Sequence, residues 1–305
     1  MRLVRGLLRT ALSLALLVSV GCGGGGGDGV PLVVIDQNIL HGILDEDPAA
    51  EPFDRYPERL ELIAASLAAR QPDVIFLQEV LTQGETHGVT RSTLLDALGA
   101  EYRDVFGSIT GEAGDQGLGQ MTLTRLPIVS SENRLIGGPR AVHRVTVETE
   151  EGNIDLYNAH LDGTDPDDPQ FGVDEIEKVL AFIEETRTGS GPVILAGDFN
   201  AEPGDPSIQA LLAAGFLDLL VVAGDPTCAA AGDPGCTNST IPLGDNAENR
   251  ADARIDYVFV LPGDGPSLEI DSAALFNNQP ADLGDGRLLW PSDHIGVATE
   301  LRLRP

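Results

Sequence analysis

Val193-Ile194-Leu195-Ala196-Gly197-Asp198-Phe199-Asn200 sets four apolar residues in a row and then, within four positions, an acid and an amide. The apolar half reads as a β-strand. The polar half stands just past its carboxyl end, and the arrangement recurs along the chain. Leu32-Val33-Val34-Ile35 is followed by Gln37 and Asn38, Val74-Ile75-Phe76-Leu77 by Gln78 and Glu79, and Ile154 to Tyr157 by Asn158 and His160. Asp293 and His294 come just before a last apolar strand, Val297 to Leu303. Strand ends are rigid, so side chains there are held to the tolerance that catalysis needs. Gathered together, these groups make an acidic pocket rich in oxygen donors. Oxygen donors without thiolates suit Mg²⁺ or Mn²⁺ rather than zinc.

The remaining chain fits one α/β domain over residues 30–305. Pro57 opens a helix whose Leu60, Ile63, Ala64 and Leu67 share one face. A short helix is expected around Leu94, Leu95 and Leu98, and a second amphipathic one from Asp174 through Ile176, Val179, Leu180 and Ile183. Asp205-Pro206 starts another. Met121–Thr124, Val142–Thr149 and Ile255–Val260 read as further strands, and Val145 and Val147 alternate with polar residues as in a half-buried sheet. Strands and helices interleave without the strict rhythm of an all-parallel sheet. Residues 162–174 and 225–252 are acidic or rich in Gly and Pro and read as long surface loops, a common place for function.

The amino terminus carries a basic start (Arg2, Arg5, Arg9), a short apolar run from Leu12 to Val20, and then Gly21-Cys22. This is the layout of an export signal over residues 1–21. Cys22 falls where a lipoprotein signal places its acylated cysteine, and residues 22–29 form a Gly-rich tether. The expectation is a cell-envelope lipoprotein of the outer membrane or cell surface, held by a lipid anchor at Cys22, or else a secreted protein. A monomer is expected. The net charge is −29. Such a surface repels polyanions and argues against broad electrostatic grip on duplex DNA, which needs Lys and Arg at the phosphates. Cys228 and Cys236 bracket a turn-rich loop. A disulfide fits an exported protein; a zinc site, without a nearby histidine or C-x-x-C spacing, fits poorly.

The series Gln-Asn-Ile-Leu-His-Gly (37–42), Leu-Gln-Glu-Val (77–80), Thr-Arg-Leu-Pro-Ile (124–128), Asn-Ala-His-Leu-Asp (158–162), Gly-Asp-Phe-Asn (197–200), Arg-Ile-Asp-Tyr (254–257) and Ser-Asp-His (292–294) resembles the motif series of the endonuclease/exonuclease/phosphatase superfamily, the deoxyribonuclease I-like proteins. Each motif is weak alone; seven in order are specific. The resemblance implies an α/β fold with a two-sheet β-sandwich flanked by helices, in four layers, and a Mg²⁺-dependent phosphoesterase. It implies Glu79 as the main metal ligand, with Asn38 and Asp293 beside it. His294 matches the base, oriented by Asp256. Asp198 and Asn200 match the pair that positions the nucleophile and a phosphate oxygen, and His160 matches the donor to phosphate or leaving oxygen. His41 also lies in a motif and either faces phosphate or is a plain loop histidine.

Other residues read as structural: His143 within a strand, Arg254 paired to an acid, Trp290 in the core, His87 at the surface and Asp162 solvated. The substrate stays open between nucleic acid, a phospholipid as for a sphingomyelinase or phospholipase C, and a small phosphate ester. A non-catalytic phosphate-binding module of the same fold is the alternative from another class.

Overall fold

The computed structural model describes residues 29–40, 55–82, 88–109, 117–163, 170–224, 227–239, 248, 251–284 and 286–305. The expected export segment, Cys22, the tether up to residue 28, His41 and His87 lie outside them.

The chain runs β1 (Val30–Asn38), α1 (Tyr56–Arg70), β2 (Val74–Leu81), α2 (Thr90–Leu98), β3 (Arg103–Ser108), β4 (Leu118–Thr124), β5 (Ile128–Gly137), β6 (Arg140–Thr149) and β7 (Gly152–His160). It continues through α3 (Phe171–Thr186), β8 (Val193–Asp198), α4 (Pro206–Ala213), β9 (Leu217–Asp218), α5 (Leu219–Ala223), β10 (Asp256–Leu261), β11 (Ser267–Phe276), β12 (Ala281–Asp282), β13 (Leu288–Leu289) and β14 (Gly296–Arg304). Two six-stranded sheets result, ordered β11-β14-β1-β2-β4-β3 and β5-β6-β7-β8-β10-β9.

Both sheets are mixed. At the centre of each lies one parallel pair, β1–β2 and β7–β8, and the neighbouring pairs are antiparallel. A parallel pair needs a crossover, supplied here by α1 and α3. The crossovers explain the layers. α1 and α2 cover the outer face of the first sheet, where Leu60, Ile63 and Leu94 meet Ile35, Ile75 and Leu123. α3 and α4 cover the second, where Ile176, Phe182 and Leu211 meet Tyr157, Leu195 and Phe259. Between the sheets, Val34, Phe76, Val145, Leu156, Ile194, Val258 and Leu301 form the shared core. The four layers match the expected sandwich.

Sequence periodicity misses β3, β5 and β11. All three are edge strands. An edge needs few apolar residues, and β5 shows a mostly exposed, irregular pattern. The half-buried reading of β6 is also corrected. Two of its buried polar residues are met by Asp155 on β7: Thr146 Oγ1 donates to Asp155 Oδ1 at 2.6 Å, and Arg144 lies 3.8 Å from the same carboxylate. Polar alternation here marks a paired interior, not a wet face.

Arg254 pairs with an acid, as the sequence suggests. Its Nη2 donates to Asp218 Oδ1 at 2.6 Å, both residues are buried, and its guanidinium lies over the Tyr257 ring at 5.0 Å. Removing one partner of a buried pair strands the other charge at a cost of about 3–5 kcal/mol. Arg254→Ala is expected to lose that much in urea unfolding, and Arg254→Met with Asp218→Leu to regain most of it. A single-variant loss below ~1 kcal/mol would show the pair to be energetically idle.

Candidate active site

Strand register assembles the site. In the first sheet Asn38 sits opposite Gln78, at the carboxyl ends of the parallel pair. In the second, His160 sits opposite Asp198, and Asp198 opposite Asp256 at the start of β10. β14 pairs with β1 from Asp36↔Val297 onward, which brings the preceding Asp293 and His294 to the same pole. Glu79 arrives by a different device. The β2–β4 register slips between Leu77 and Val80, and Glu79 has φ +55°, a left-handed backbone. Such a bulge re-aims a side chain. Gln78 stays buried while Glu79 is partly exposed. Gly197 in Gly-Asp-Phe-Asn is a steric necessity: a Cβ there would lie 1.8 Å from Ala159 O.

Asp198 Oδ2 is the hub. It accepts from Asn38 Nδ2 at 2.9 Å, and lies 3.4 Å from His160 Nε2 and 3.7 Å from His294 Nε2. Asn38 Nδ2 also reaches Glu79 Oε1 at 3.2 Å. Asp198 Oδ1 accepts from the Asn200 backbone N–H at 2.9 Å. His294 Nδ1 faces both Asp256 oxygens at 3.1 and 3.0 Å, and its Nε2 is 4.0 Å from Asp293 Oδ1. Asn200 Nδ2 lies 3.3 Å from His160 Nε2. Thus Glu79, Asn38, Asp293, Asp198, Asn200, Asp256, His160 and His294 all converge.

Carboxylates dominate this pole. Burial disfavours the imidazolium of His294, but Asp256, Asp198 and Asp293 outweigh it and hold its pKa well above the histidine norm. Burial raises the carboxyls of Asp198 and Asp293, against the pull of His294. Glu79, His160 and Asp198 present ligand atoms within 4.8 Å of one another, as do Asp198, Asp256 and His294. The ligand atoms are carboxylate oxygens and imidazole nitrogens, a set without thiolate that fits a divalent cation.

Sequence reasoning misses several contributors. Arg140 Nη1 lies 2.9 Å from His160 Nε2 and its Nε pairs with Asp162, so Asp162 is not merely solvated. Asn238 Nδ2 lies 2.9 Å from His294 Nε2. Fully buried Arg59 of α1 donates to the carbonyls of Ile39, Leu40 and Pro291, bracing the segments that follow Asn38 and precede His294. No motif flags these three; only pairing brings them in. A cleft of about 220 Å³ opens beside Glu79, His160 and Arg140, with Ile109, Leu118 and Pro139 on its walls. His143 is buried in β6 and kept neutral, its pKa lowered by burial to about 4. Trp290 packs with Cys236, Leu289 and Ile295. Cys228 and Cys236 are joined in a disulfide.

The profile of the Endonuclease/Exonuclease/phosphatase family matches residues 37–294, the span that holds every converging residue above. The chain belongs to the endonuclease/exonuclease/phosphatase family. The family groups phosphoester hydrolases that depend on a divalent metal. It is 26% identical over 269 residues to a Drosophila melanogaster protein named "Putative neutral sphingomyelinase", covering 82% of this chain but only 57% of that longer relative. Solved structures share the family fold. Humanized D. rerio TDP2 superposes with a TM-score of 0.66 at 21% identity, over 89% of this chain and 98% of that one. The mannosyl-6-phosphatase of Bacteroides thetaiotaomicron gives 0.68 at 18%, over 88% and 99%.

The loop behind His160 in this family member rests on Glu175 of α3, which is buried and accepts from Asp162 N at 3.0 Å. Burial pushes its carboxyl up to about 7, against the backbone donors of Asp162 and Gly163. A folded pKa above the unfolded 4.5 favours the folded state at low pH; that contribution is complete below 4.5 and lost as pH rises through 7. Glu175→Gln is therefore expected to match the wild type near pH 4 and to exceed it by roughly 1–3 kcal/mol at pH 8. Chemical denaturation at both pH values checks this; equal gaps at both would contradict it.

Proposed function

We propose that the protein is an exported Mg²⁺-dependent phosphodiesterase that cleaves its substrate by in-line attack of water. One observation carries the reading: a single carboxylate oxygen, Asp198 Oδ2, stands within 4 Å of both histidines and of Asn38, with Asp256 behind one histidine.

In this reading Glu79, Asn38 and Asp293 hold the Mg²⁺. The bound ion supplies charge neutralisation of the anionic phosphate. Asp256 fixes a proton on His294 Nδ1; a cation bound among the carboxylates would offset their pull on the ring and let Nε2 take a proton from water. Asp198 and Asn200 orient that water and one phosphate oxygen. His160, backed by Arg140, stabilises charge on the phosphoryl group or leaving oxygen.

Two observations bear on the substrate. The acidic chain, −29 overall, disfavours long nucleic acid. The similarity to the Drosophila protein favours a phospholipid diester of the sphingomyelin type. Attachment through Cys22 would hold such an enzyme at a membrane surface, in the cell envelope. The purified protein is to be tested with Mg²⁺ on plasmid DNA, single-stranded DNA, RNA, sphingomyelin, phosphatidylinositol and aryl phosphates. Turnover is expected on the lipid diesters before the polynucleotides. EDTA should abolish it, and His294→Ala should lower kcat by at least ~10²-fold at unchanged fold. Turnover that survives both treatments ends the proposal, and binding without turnover would favour a phosphate-binding module.

A further inference from the structure

The segment that ends in Asn238 is held in place by three kinds of bond. Cys236 is buried against Ala251, Leu289, Trp290 and Ile295, and its disulfide to Cys228 closes a loop of separation 8. Within that loop Asp233 Oδ2 accepts from the backbone of Ala229 and Ala230, and Gly235 N donates to the carbonyl of Thr227, just ahead of the loop. Directly after Cys236 the chain is stitched on both sides. Thr237 Oγ1 accepts from the backbone N–H groups of Ile255 and Asp256 at 3.0 and 3.1 Å. Thr237 O accepts from Ile295 N, and Ser239 N donates to Asp293 O. Asn238 bridges Ala253 on one side and His294 on the other. This short stretch therefore lies between the two segments that carry Asp256 and His294.

The Asn238 side chain lands on one atom. Its Nδ2 is 2.9 Å from His294 Nε2, the ring nitrogen opposite the one that faces Asp256. The imidazole is thus gripped at both ends, by a carboxylate at Nδ1 and by an amide at Nε2. A carboxamide can donate to a bare ring nitrogen or, turned over, accept from a protonated one. It can stay paired on either side of a proton transfer. A carboxylate or an apolar group of the same size cannot do both.

We propose that Asn238 is a positioning residue for His294 and that the Cys228–Cys236 disulfide is what presents it. The inference rests on the reading of His294 as the base, and its test also has a readout without turnover. The loop between the two cysteines has no regular secondary structure. Its covalent closure restricts the segment that delivers Asn238.

The test uses the full-length protein as wild type, Asn238→Ala, Asn238→Asp and the double variant Cys228→Ser/Cys236→Ser. With Mg²⁺ and the best substrate, Asn238→Ala and the near-isosteric Asn238→Asp should each lower kcat by ~10-fold or more, with KM and Mg²⁺ dependence within about threefold. The cysteine variant, or wild type reduced with a phosphine, should show the same loss. Reduction should change Asn238→Ala no further, since groups that act as a unit are not additive. In parallel, ¹⁵N spectra of the histidine rings should show the Nε2 resonance of His294 moving in Asn238→Ala and on reduction of the wild type. Unchanged kcat in both Asn238 variants, or an Nε2 resonance indifferent to both changes, overturns the proposal. A wild type without Mg²⁺-dependent turnover but with the resonance shifts would defeat the phosphodiesterase reading and leave the positioning contact standing.

Discussion

Asn38 on the first sheet donates to Asp198 on the second across 2.9 Å. The site depends on that bond. It sets the distance between the half of the pocket that carries Glu79 and the half that carries His160, Asn200 and Asp256. A second cross-link lies beneath it. Gln78 Nε2 donates to Asp36 Oδ1 at 2.8 Å within its own sheet and to Asn158 Oδ1 at 2.9 Å on the other. Asn158 in turn donates to the carbonyls of Leu77 and Met121. These amides clamp the sheets just where the core between them changes from apolar to polar.

That change of polarity has a cost in stability. Asp36 is fully buried with one oxygen unpartnered, and burial, then Asp256, raises its carboxyl well above the usual range. Gln78, Gln120, Thr122 and His143 also have buried polar atoms without a partner among the described residues. A core built for stability alone would fill these places with apolar side chains. Proteins break such rules chiefly around their sites. Here the apolar layer from Leu32 to Ile194 and Leu301 offsets the cost from the opposite pole.

Orientation of the two histidines follows from their neighbours. His294 is held by Asp256 at one nitrogen and Asn238 at the other; His160 meets Arg140, Asn200 and Asp198 at one nitrogen. The surrounding excess of carboxylates makes the pole a place for cations, while Arg140 and Arg59 keep it from being uniformly negative. The charge of the whole chain, −29, has the same sign as the pole. Long polyanions are disfavoured by both, whereas a single phosphate held at short range is not.

Much was legible without coordinates. Apolar runs such as Val74–Leu77 and Val193–Ala196 read as strands, because they are too short for a buried helix and are bounded by Pro, Gly and polar residues. The polar residues behind them had to sit at strand ends, so the motif residues could be named before their geometry was known. Edge strands β3, β5 and β11 escaped because half-solvated strands leave no strong pattern. Arg59, Arg140 and Asn238 escaped for a different reason. Their value comes from contacts made across long separations in the chain, Asn238 with His294 over 56 positions and Arg59 with Pro291 over 232. The sequence by itself determined which polar residues follow the apolar strands and at which strand ends they stand, since local pattern dictates both. Only the tertiary structure decided which supporting groups grip them, because strand register and the clasp of two sheets arise from pairings that no local stretch encodes.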